Sequence, residues 1–332
     1  MRISEVLEEA VRREAADILL SAGAPITYHV QGLLEFYQPD TPLSARDSED
    51  LAFHYKDVAR FRVSVYRQRG TVAAVMRLVP LRIPHYTEIG IEPHLMTRFL
   101  NIPNGLILVT GPTGAGKSTT VASFLNYMNT ESDISRHIIT IEDPIEFLLP
   151  SQVCVVDQRE LGQDTKSYPI GLRSALRQMP HIIFVGEMRD RATMEIALTA
   201  AETGNLVIST LSTQSASKTI NRIIDVFPLE DQAEIRARLA LTLKAVISQV
   251  LLRRADQPKR IAGREILFVT NSVSNLIREG KIHQIDNVIA SSNEHGMVLL
   301  DDSMIELFHN GIVTAASVIP RLQDPDKARL LH

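Results

Sequence analysis

The sequence predicts an α/β protein: a mostly parallel sheet covered on both faces by helices, preceded by a small α+β domain and followed by a helical subdomain. Three observations carry this. An apolar run, Leu106 to Val109, leads into a glycine-rich turn and then into residues with helical spacing. Strand-like and helix-like segments alternate between about residues 94 and 270, the mark of a sheet built from crossovers. Beyond about residue 271 the apolar residues fall into short clusters separated by polar turns.

From the start of the chain, Ile3, Val6, Leu7, Ala10 and Val11 oppose Glu5, Glu8 and Arg12, which predicts an amphipathic helix whose apolar face is core rather than a membrane anchor. Alternation at Ile26, Tyr28 and Val30, and at Phe61, Val63 and Val65, predicts strands with one buried face. The turn signals Gln31-Gly32 and Arg69-Gly70 suggest hairpins. This domain is placed at 1–82. Ile83-Pro-His-Tyr-Thr-Glu-Ile-Gly-Ile-Glu-Pro93, with a proline at each end, reads as an interdomain linker and hinge (83–93). The core, 94–270, carries strands near 105–110, 137–142, 182–186 and 205–211. The C-terminal subdomain, 271–332, carries Leu276, Ile277, Leu299, Leu300, Ile305 and Leu307 on its helical segments.

The turn after Val109 is Gly111-Pro-Thr-Gly-Ala-Gly-Lys-Ser118, a match without mismatch to the phosphate-binding pattern G-x-x-x-x-G-K-[ST] in its required strand–loop–helix setting. It points to a nucleoside triphosphate. Gly111, Pro112, Thr113, Gly114, Ala115 and Gly116 supply a loop whose N–H groups face phosphates, with Thr119 in the helix turn that follows. Lys117 reaches the β and γ oxygens and Ser118 holds Mg²⁺. Hydrolysis also needs an acid to orient water. Ile138 to Ile141 ends in Glu142-Asp143, and Ile182 to Val185 is followed by Gly186 and Glu187, so both runs deliver carboxylates to the carboxyl edge of the sheet, where ligands of open α/β sheets bind. The position before Glu187, where a metal-binding strand ordinarily has a carboxylate, is glycine. Mg²⁺ is therefore expected to use Ser118, waters and the Glu142/Asp143 pair. An exposed acid after a strand is also a common helix cap or solvated charge.

Composition narrows the partners. A net charge of −4, 5% aromatic residues and no tryptophan give little basis for binding nucleic acid. One cysteine, Cys154, excludes an intrachain disulfide or a multi-cysteine zinc site and suits a reducing compartment. Neither a signal peptide nor a membrane span is expected, so no direct membrane insertion.

Four segments in order, Gly111-Pro-Thr-Gly-Ala-Gly-Lys-Ser-Thr-Thr120, Ile139-Thr-Ile-Glu-Asp-Pro-Ile-Glu-Phe147, Val185-Gly-Glu-Met-Arg-Asp190 and Glu202-Thr-Gly-Asn-Leu-Val-Ile-Ser-Thr-Leu-Ser-Thr213, resemble the Walker A, aspartate-box, Walker B and histidine-box regions of the secretion and pilus motor ATPases, the GspE/PulE-like family. The branch they most resemble is the PilT-type pilus retraction ATPases. Further similarity lies at Ala59-Arg-Phe-Arg-Val63, Arg67-Gln-Arg-Gly70, Gln158 to Lys166 and Asn275 to Lys281. The resemblance implies a RecA-like P-loop NTPase core with a PAS-like first domain, ATP and Mg²⁺ as cofactors, and a cytoplasmic homo-hexameric ring associated peripherally with the inner-membrane pilus base. It implies a pilus platform protein as partner, possibly alongside a second pilus ATPase, and a role in twitching motility or a related secretion step. It also implies Glu187 as catalytic acid, supported by Glu142 and Lys117, and arginines among Arg60, Arg62 and Arg77 approaching the phosphates from a neighbouring subunit.

Departures from the family pattern are local. Asn205 and Ser212 stand where that box carries histidines, Met179-Pro-His181 replaces an acidic stretch, Ser274 replaces an arginine, and the first domain is abbreviated between Ser44 and Arg60. Three readings remain open on the sequence: an active motor, an ATP-binding regulatory paralogue with weak or no hydrolysis, motivated by Asn205 and Ser212, and a RecA-like nucleic-acid motor.

Overall fold

A computed structural model describes residues 3–21, 26–30, 33–37, 49–55, 59–69, 71–79, 82–292 and 296–331. They fall into two compact units, Met1–Ile83 with Glu146–Leu148, and Pro84–Ile145 with Leu149–His332.

The first unit is one helix, α1 (Ile3–Arg12), and six antiparallel strands: β1 (Asp17–Ser21), β2 (Ile26–Val30), β3 (Leu33–Tyr37), β4 (Glu49–Tyr55), β5 (Ala59–Gln68) and β6 (Thr71–Val79). The sheet order is β3-β2-β1-β6-β5-β4. Val6, Leu7 and Ala10 of α1 share a core with Ile18, Tyr28, Phe61 and Met76, so the apolar helix face is used up inside the protein. The Tyr28 hydroxyl donates to the Val6 carbonyl, 3.2 Å, and fastens the helix to the sheet. Both expected hairpins exist as antiparallel pairs, β2 with β3 and β5 with β6. Gln31, Gly32 and Gly70 themselves lie outside the described residues. Part of the abbreviated stretch, Glu49–Tyr55, is the edge strand β4, paired with β5; residues 44–48 and 56–58 lie outside the described residues.

The boundary between the two units falls within the stretch 83–93, after Ile83. Residues 84–93 belong to the second unit: Tyr86 and Ile91 are buried and the Tyr86 ring packs edge-on against Tyr127 at 4.9 Å. The buried Arg264 guanidinium donates to the carbonyls of Ile89, 2.6 Å, and Gly90, 3.1 Å. Burial brings that guanidinium down to about 10, which leaves it charged at neutral pH. The prolines mark a pinned turn.

The second unit holds α2 (Pro93–Leu100), β7 (Gly105–Thr110), α3 (Lys117–Thr130), β8 (His137–Glu142), β9 (Val155–Glu160), α4 (Tyr168–Ala175), β10 (Ile182–Val185), α5 (Arg191–Glu202), β11 (Leu206–Leu211), α6 (Ala216–Asp225), α7 (Gln232–Thr242), β12 (Leu243–Arg253) and β13 (Arg260–Phe268). The seven-stranded sheet runs β13-β12-β7-β11-β10-β8-β9, parallel except for β13. β7, β10 and β11 are buried throughout, as an uninterrupted apolar run between helices requires. The helical elements α8 (Asn271–Arg278), α9 (Ile285–Ala290), α10 (Leu300–His309) and α11 (Ala315–Val318) close the chain. Leu300, Met304, Ile305, Val313 and Val318 form one cluster with Leu252 of β12, so the change near residue 270 is in element type and the core runs on across it. Among the described residues no helix is long and apolar enough to cross a membrane.

Glu265 of β13 is 2% exposed and accepts from the N–H of Ala216, 2.6 Å, at the start of α6. Burial pushes its carboxyl up to about 7, and Asp286 and Asp301 act in the same direction. Against a value of 4.5 for the free group, the native state holds the extra proton between those limits, so this residue's contribution is full below pH 4.5 and is lost as pH rises through about 7. Glu265→Gln keeps the acceptor and should flatten that part of the stability–pH curve in urea titrations. A wild-type slope in the variant would count against the buried, protonated carboxyl.

Candidate nucleotide site

The loop is held from two sides. β7 stops at Thr110, and at Gly111 the backbone takes φ 142°; a Cβ there would lie 2.3 Å from the Gln249 carbonyl of β12, so the neighbouring strand passes where a side chain would stand. Gln249, 1% exposed, spans the loop: its Nε2 donates to the Ala115 carbonyl, 2.6 Å, and its Oε1 accepts from the Thr120 hydroxyl, 2.9 Å. The sequence reading missed this residue. The available signal was an amide inside the apolar run of β12, where a buried polar group needs a partner. Beside it Ser248 and Thr110 share a hydroxyl bond of 2.8 Å.

Gly116 caps α3 in the left-handed region and has no side chain to offer, whereas α4, α5 and α6 are capped by Ser167, Asp190 and Ser215. The first-turn N–H groups of α3 are thus left for an anion. Pro112, Thr113 and Gly114 are exposed, Ala115 is buried, and Lys117, Ser118 and Thr119 are half-buried. Lys117 Nζ donates to the carbonyls of Gly111, 2.8 Å, and Pro112, 3.2 Å, lying across the loop it serves.

Parallel register brings the expected acids to the same edge. Two strands from β7, beyond β10, the Glu187 carboxylate accepts from Arg189 Nε, 2.7 Å, and from the Ser212 hydroxyl, 3.0 Å. At about 4.8 Å per strand that is about 10 Å sideways from the loop strand. The loop carrying it is fixed by Ser209 Oγ to the Val185 carbonyl, 2.7 Å, Thr210 Oγ1 to the Gly186 carbonyl, 2.6 Å, and the Gly186 N–H to Ile141, 2.8 Å. Glu142, one strand further, is 8% exposed and is held by the Thr140 hydroxyl, 2.7 Å, and Gln158 Nε2, 3.1 Å. Asp143 beside it is exposed. The Glu187 hydrogen bond raises the Arg189 guanidinium, with Tyr168 and Asp143 adding to it. Asp190, in the same motif, is the N-cap of α5, accepting from the Thr193 N–H at 2.9 Å.

The two substituted histidine positions do not share a site. Asn205 precedes β11 at its amino end, where its carbonyl accepts from the Gly105 N–H, 3.0 Å, and its Nδ2 donates to Ala200, 3.0 Å. Ser212 follows the other end. Six strand residues separate them by about 20 Å, so the two positions cannot meet at one group. Met179 and His181 also lie at the amino edge, His181 Nδ1 accepting from the His137 N–H at 3.0 Å.

Arg60 and Arg62 are in β5, opposite Val79 and Arg77 of β6. Arg77 Nε donates to Asp17 Oδ1, 2.8 Å, and that bond raises its guanidinium. All three arginines belong to the first unit, and the loop and the acids to the second. Among the described residues no group of three His, Cys, Asp or Glu could hold a metal by itself. The hydroxyl of Ser118 and the exposed Asp143 carboxylate are hard oxygen donors, which suits Mg²⁺ held by few protein ligands together with phosphate and water.

Residues 47–297, well over half of the chain, match the family described as type II/IV secretion system protein. The chain belongs to that family. Among its relatives, the type IV pilus retractation ATPase PilT of Pseudomonas aeruginosa is 40% identical over 98% of this chain and 99% of its own. A twitching motility protein of Neisseria gonorrhoeae is 44% identical over 83% of this chain and 73% of its own. A crystal structure of the pilus retraction motor PilT with bound ADP superposes with a TM-score of 0.86 at 39% identity, covering 98% of both chains. As in any member of a P-loop family, the loop's shape decides what it can hold. Gln249→Leu would leave the Ala115 carbonyl and Thr120 hydroxyl unpaired, and the expected result is about a 10-fold loss of ATP affinity by titration with a fluorescent analogue. Wild-type affinity would mean the clamp is dispensable.

Proposed function

We propose that this chain is an ATP-hydrolysing motor that powers pilus retraction, turning ATP and water into ADP and phosphate. The observation that carries the reading is the end-to-end similarity to a pilus retractation ATPase in a chain whose Lys117, Ser118 and Glu187 all stand at one sheet edge. Lys117 leaves the Gly111 and Pro112 carbonyls for the β and γ oxygens, and the N–H groups of the loop take the remaining phosphate charge. Mg²⁺, when bound, would neutralise negative charge on the phosphates; Ser118 and Asp143 are the residues that would hold it. Glu187, kept in place by Ser212 and Arg189, orients the attacking water and accepts its proton. Glu142, buried and doubly hydrogen-bonded, acts by fixing the end of β8.

In this reading the working form is a homo-hexameric ring, in which Arg60, Arg62 and Arg77 of one subunit complete the charge at the next subunit's nucleotide. The ring sits on the cytoplasmic side, docked to an inner-membrane platform protein, with room for a second pilus ATPase in the same machine. The regulatory alternative loses ground: Asn205 is remote from the chemistry, and Ser212 still serves Glu187.

Steady-state hydrolysis measured across protein concentration, with mass in parallel, tests the reading. Turnover should rise cooperatively with assembly. Glu187→Gln should lower it about 10²- to 10⁴-fold while ATP binding survives, and unchanged turnover would remove Glu187 from the role. Lys117→Ala should weaken binding itself, whereas wild-type affinity would contradict the loop assignment.

A further inference from the structure

Thr219 lies on the buried face of α6, with Ala216, Ile220 and Ile223, four residues past the cap Ser215. A hydroxyl enclosed in this way needs partners. It donates to the Ser215 carbonyl, 2.7 Å, which also accepts the Thr219 N–H, 2.9 Å. A hydroxyl has one proton to give, so at 2.7 Å from the Thr213 hydroxyl it is the acceptor and Thr213 the donor. A longer contact, 3.5 Å, reaches the buried hydroxyl of Thr110, which in turn bonds that of Ser248.

These neighbours bracket the site. Thr213 directly follows Ser212, whose hydroxyl donates to Glu187, and Thr110 directly precedes Gly111 of the phosphate loop. β7 and β11 are adjacent strands, with Thr110 opposite Leu211, so the two segments leave the sheet side by side. Ser212 and Gln214 are exposed and Thr213 is half-buried, which makes the Thr213 hydroxyl the inward anchor of this turn; the Gln214 carbonyl is met from outside by Gln323 Nε2, 3.2 Å. The anchor point is firm, because the Ala216 N–H at the start of α6 donates to the buried Glu265 carboxyl of β13.

We propose that Thr219 is a positioning residue for hydrolysis: its hydroxyl accepts from Thr213, which holds the turn so that Ser212 meets Glu187 at a fixed offset from the strand carrying the phosphate loop. The hydroxyl serves the site and the methyl serves the core. No bond is made or broken at Thr219, and it carries no charge at any stage. The inference rests on Glu187 serving as the acid of an active ATPase.

The test uses the full chain and four variants, Thr219→Val, Thr219→Ser, Thr213→Val and the pair Thr219→Val with Thr213→Val, with kcat, KM for ATP and thermal midpoint measured for each. Thr219→Val keeps the shape and removes the hydroxyl, while the Ser215 carbonyl retains its N–H partner. It should lower kcat about 10-fold with KM unchanged, since the turn it releases holds the acid and not the phosphates. Thr219→Ser keeps the hydroxyl and loses a buried methyl, so the midpoint should fall while kcat stays at the wild-type value. Thr213→Val should match Thr219→Val, and the pair should be no slower than either, because both remove one bond. Wild-type kcat in Thr219→Val, a kcat in Thr219→Ser as low as in Thr219→Val, or losses that add in the pair would each overturn the proposal. An inactive wild type, or Glu187→Gln with unchanged turnover, would instead sink the reading of Glu187, and the role of Thr219 with it.

Discussion

The site depends on the approach of β12 to the phosphate loop. Gln249 belongs to a strand that begins more than a hundred residues after the loop, yet its amide bonds both the loop at Ala115 and the first turn of α3 at Thr120, and its carbonyl takes the space at Gly111. A buried amide of this kind contributes little net stability when paired, but leaving its partners unpaired costs about 1–3 kcal/mol for each. The loop's shape is therefore tied to the position of β12. That strand is in turn held by β7 on one side and by β13 on the other, and the C-terminal helices pack on the same pair through Leu252, Leu300 and Met304. Displacement of those helices would be felt at the phosphates through one strand.

Burial sorts the three carboxylates at the sheet edge. Glu142, Asp143 and Glu187 arrive by the same device, an apolar parallel strand that ends in an acid, but their surroundings differ. Glu142 is enclosed, and its Oε1 accepts from both Thr140 and Gln158, which joins β8 to the edge strand β9. Asp143 is exposed and free to meet solvent or metal. Glu187 lies between these extremes, with a cation on one oxygen and a neutral hydroxyl on the other. Three acids of one charge thus stand in three different environments, set by what the neighbouring strands bring to them.

Much of this was legible in the sequence, for a physical reason. Strands buried on both faces must be continuous apolar runs, so β7, β8, β10 and β11 announced themselves, and with them the edge that carries the loop and the acids. β9 is half-exposed and carries Asp157, Gln158 and Arg159, so its pattern resembles a loop. β12 follows α7 with no intervening turn residue, which hid the boundary and with it Gln249. How 83–93 packs was not legible, because prolines mark a bend without saying whether it is free; what pins it is Arg264, distant in sequence.

The two departures in the histidine box are separate physical events. A strand that carries one position before its first residue and the other after its last cannot bring both to one phosphate. Asn205 supplies a side-chain bond to the end of α5 and a carbonyl to β7, both backbone-anchoring duties that an amide performs without charge. Ser212 alone touches Glu187, and there the change from imidazole to hydroxyl removes a group that titrates near neutrality. The partners left to Glu187 are a guanidinium, charged at any physiological pH, and a hydroxyl, charged at none. What holds the acid in place is therefore the same from pH 5 to pH 8. The substitution that first suggested a silenced enzyme is compatible with a working one whose acid is held by partners indifferent to pH.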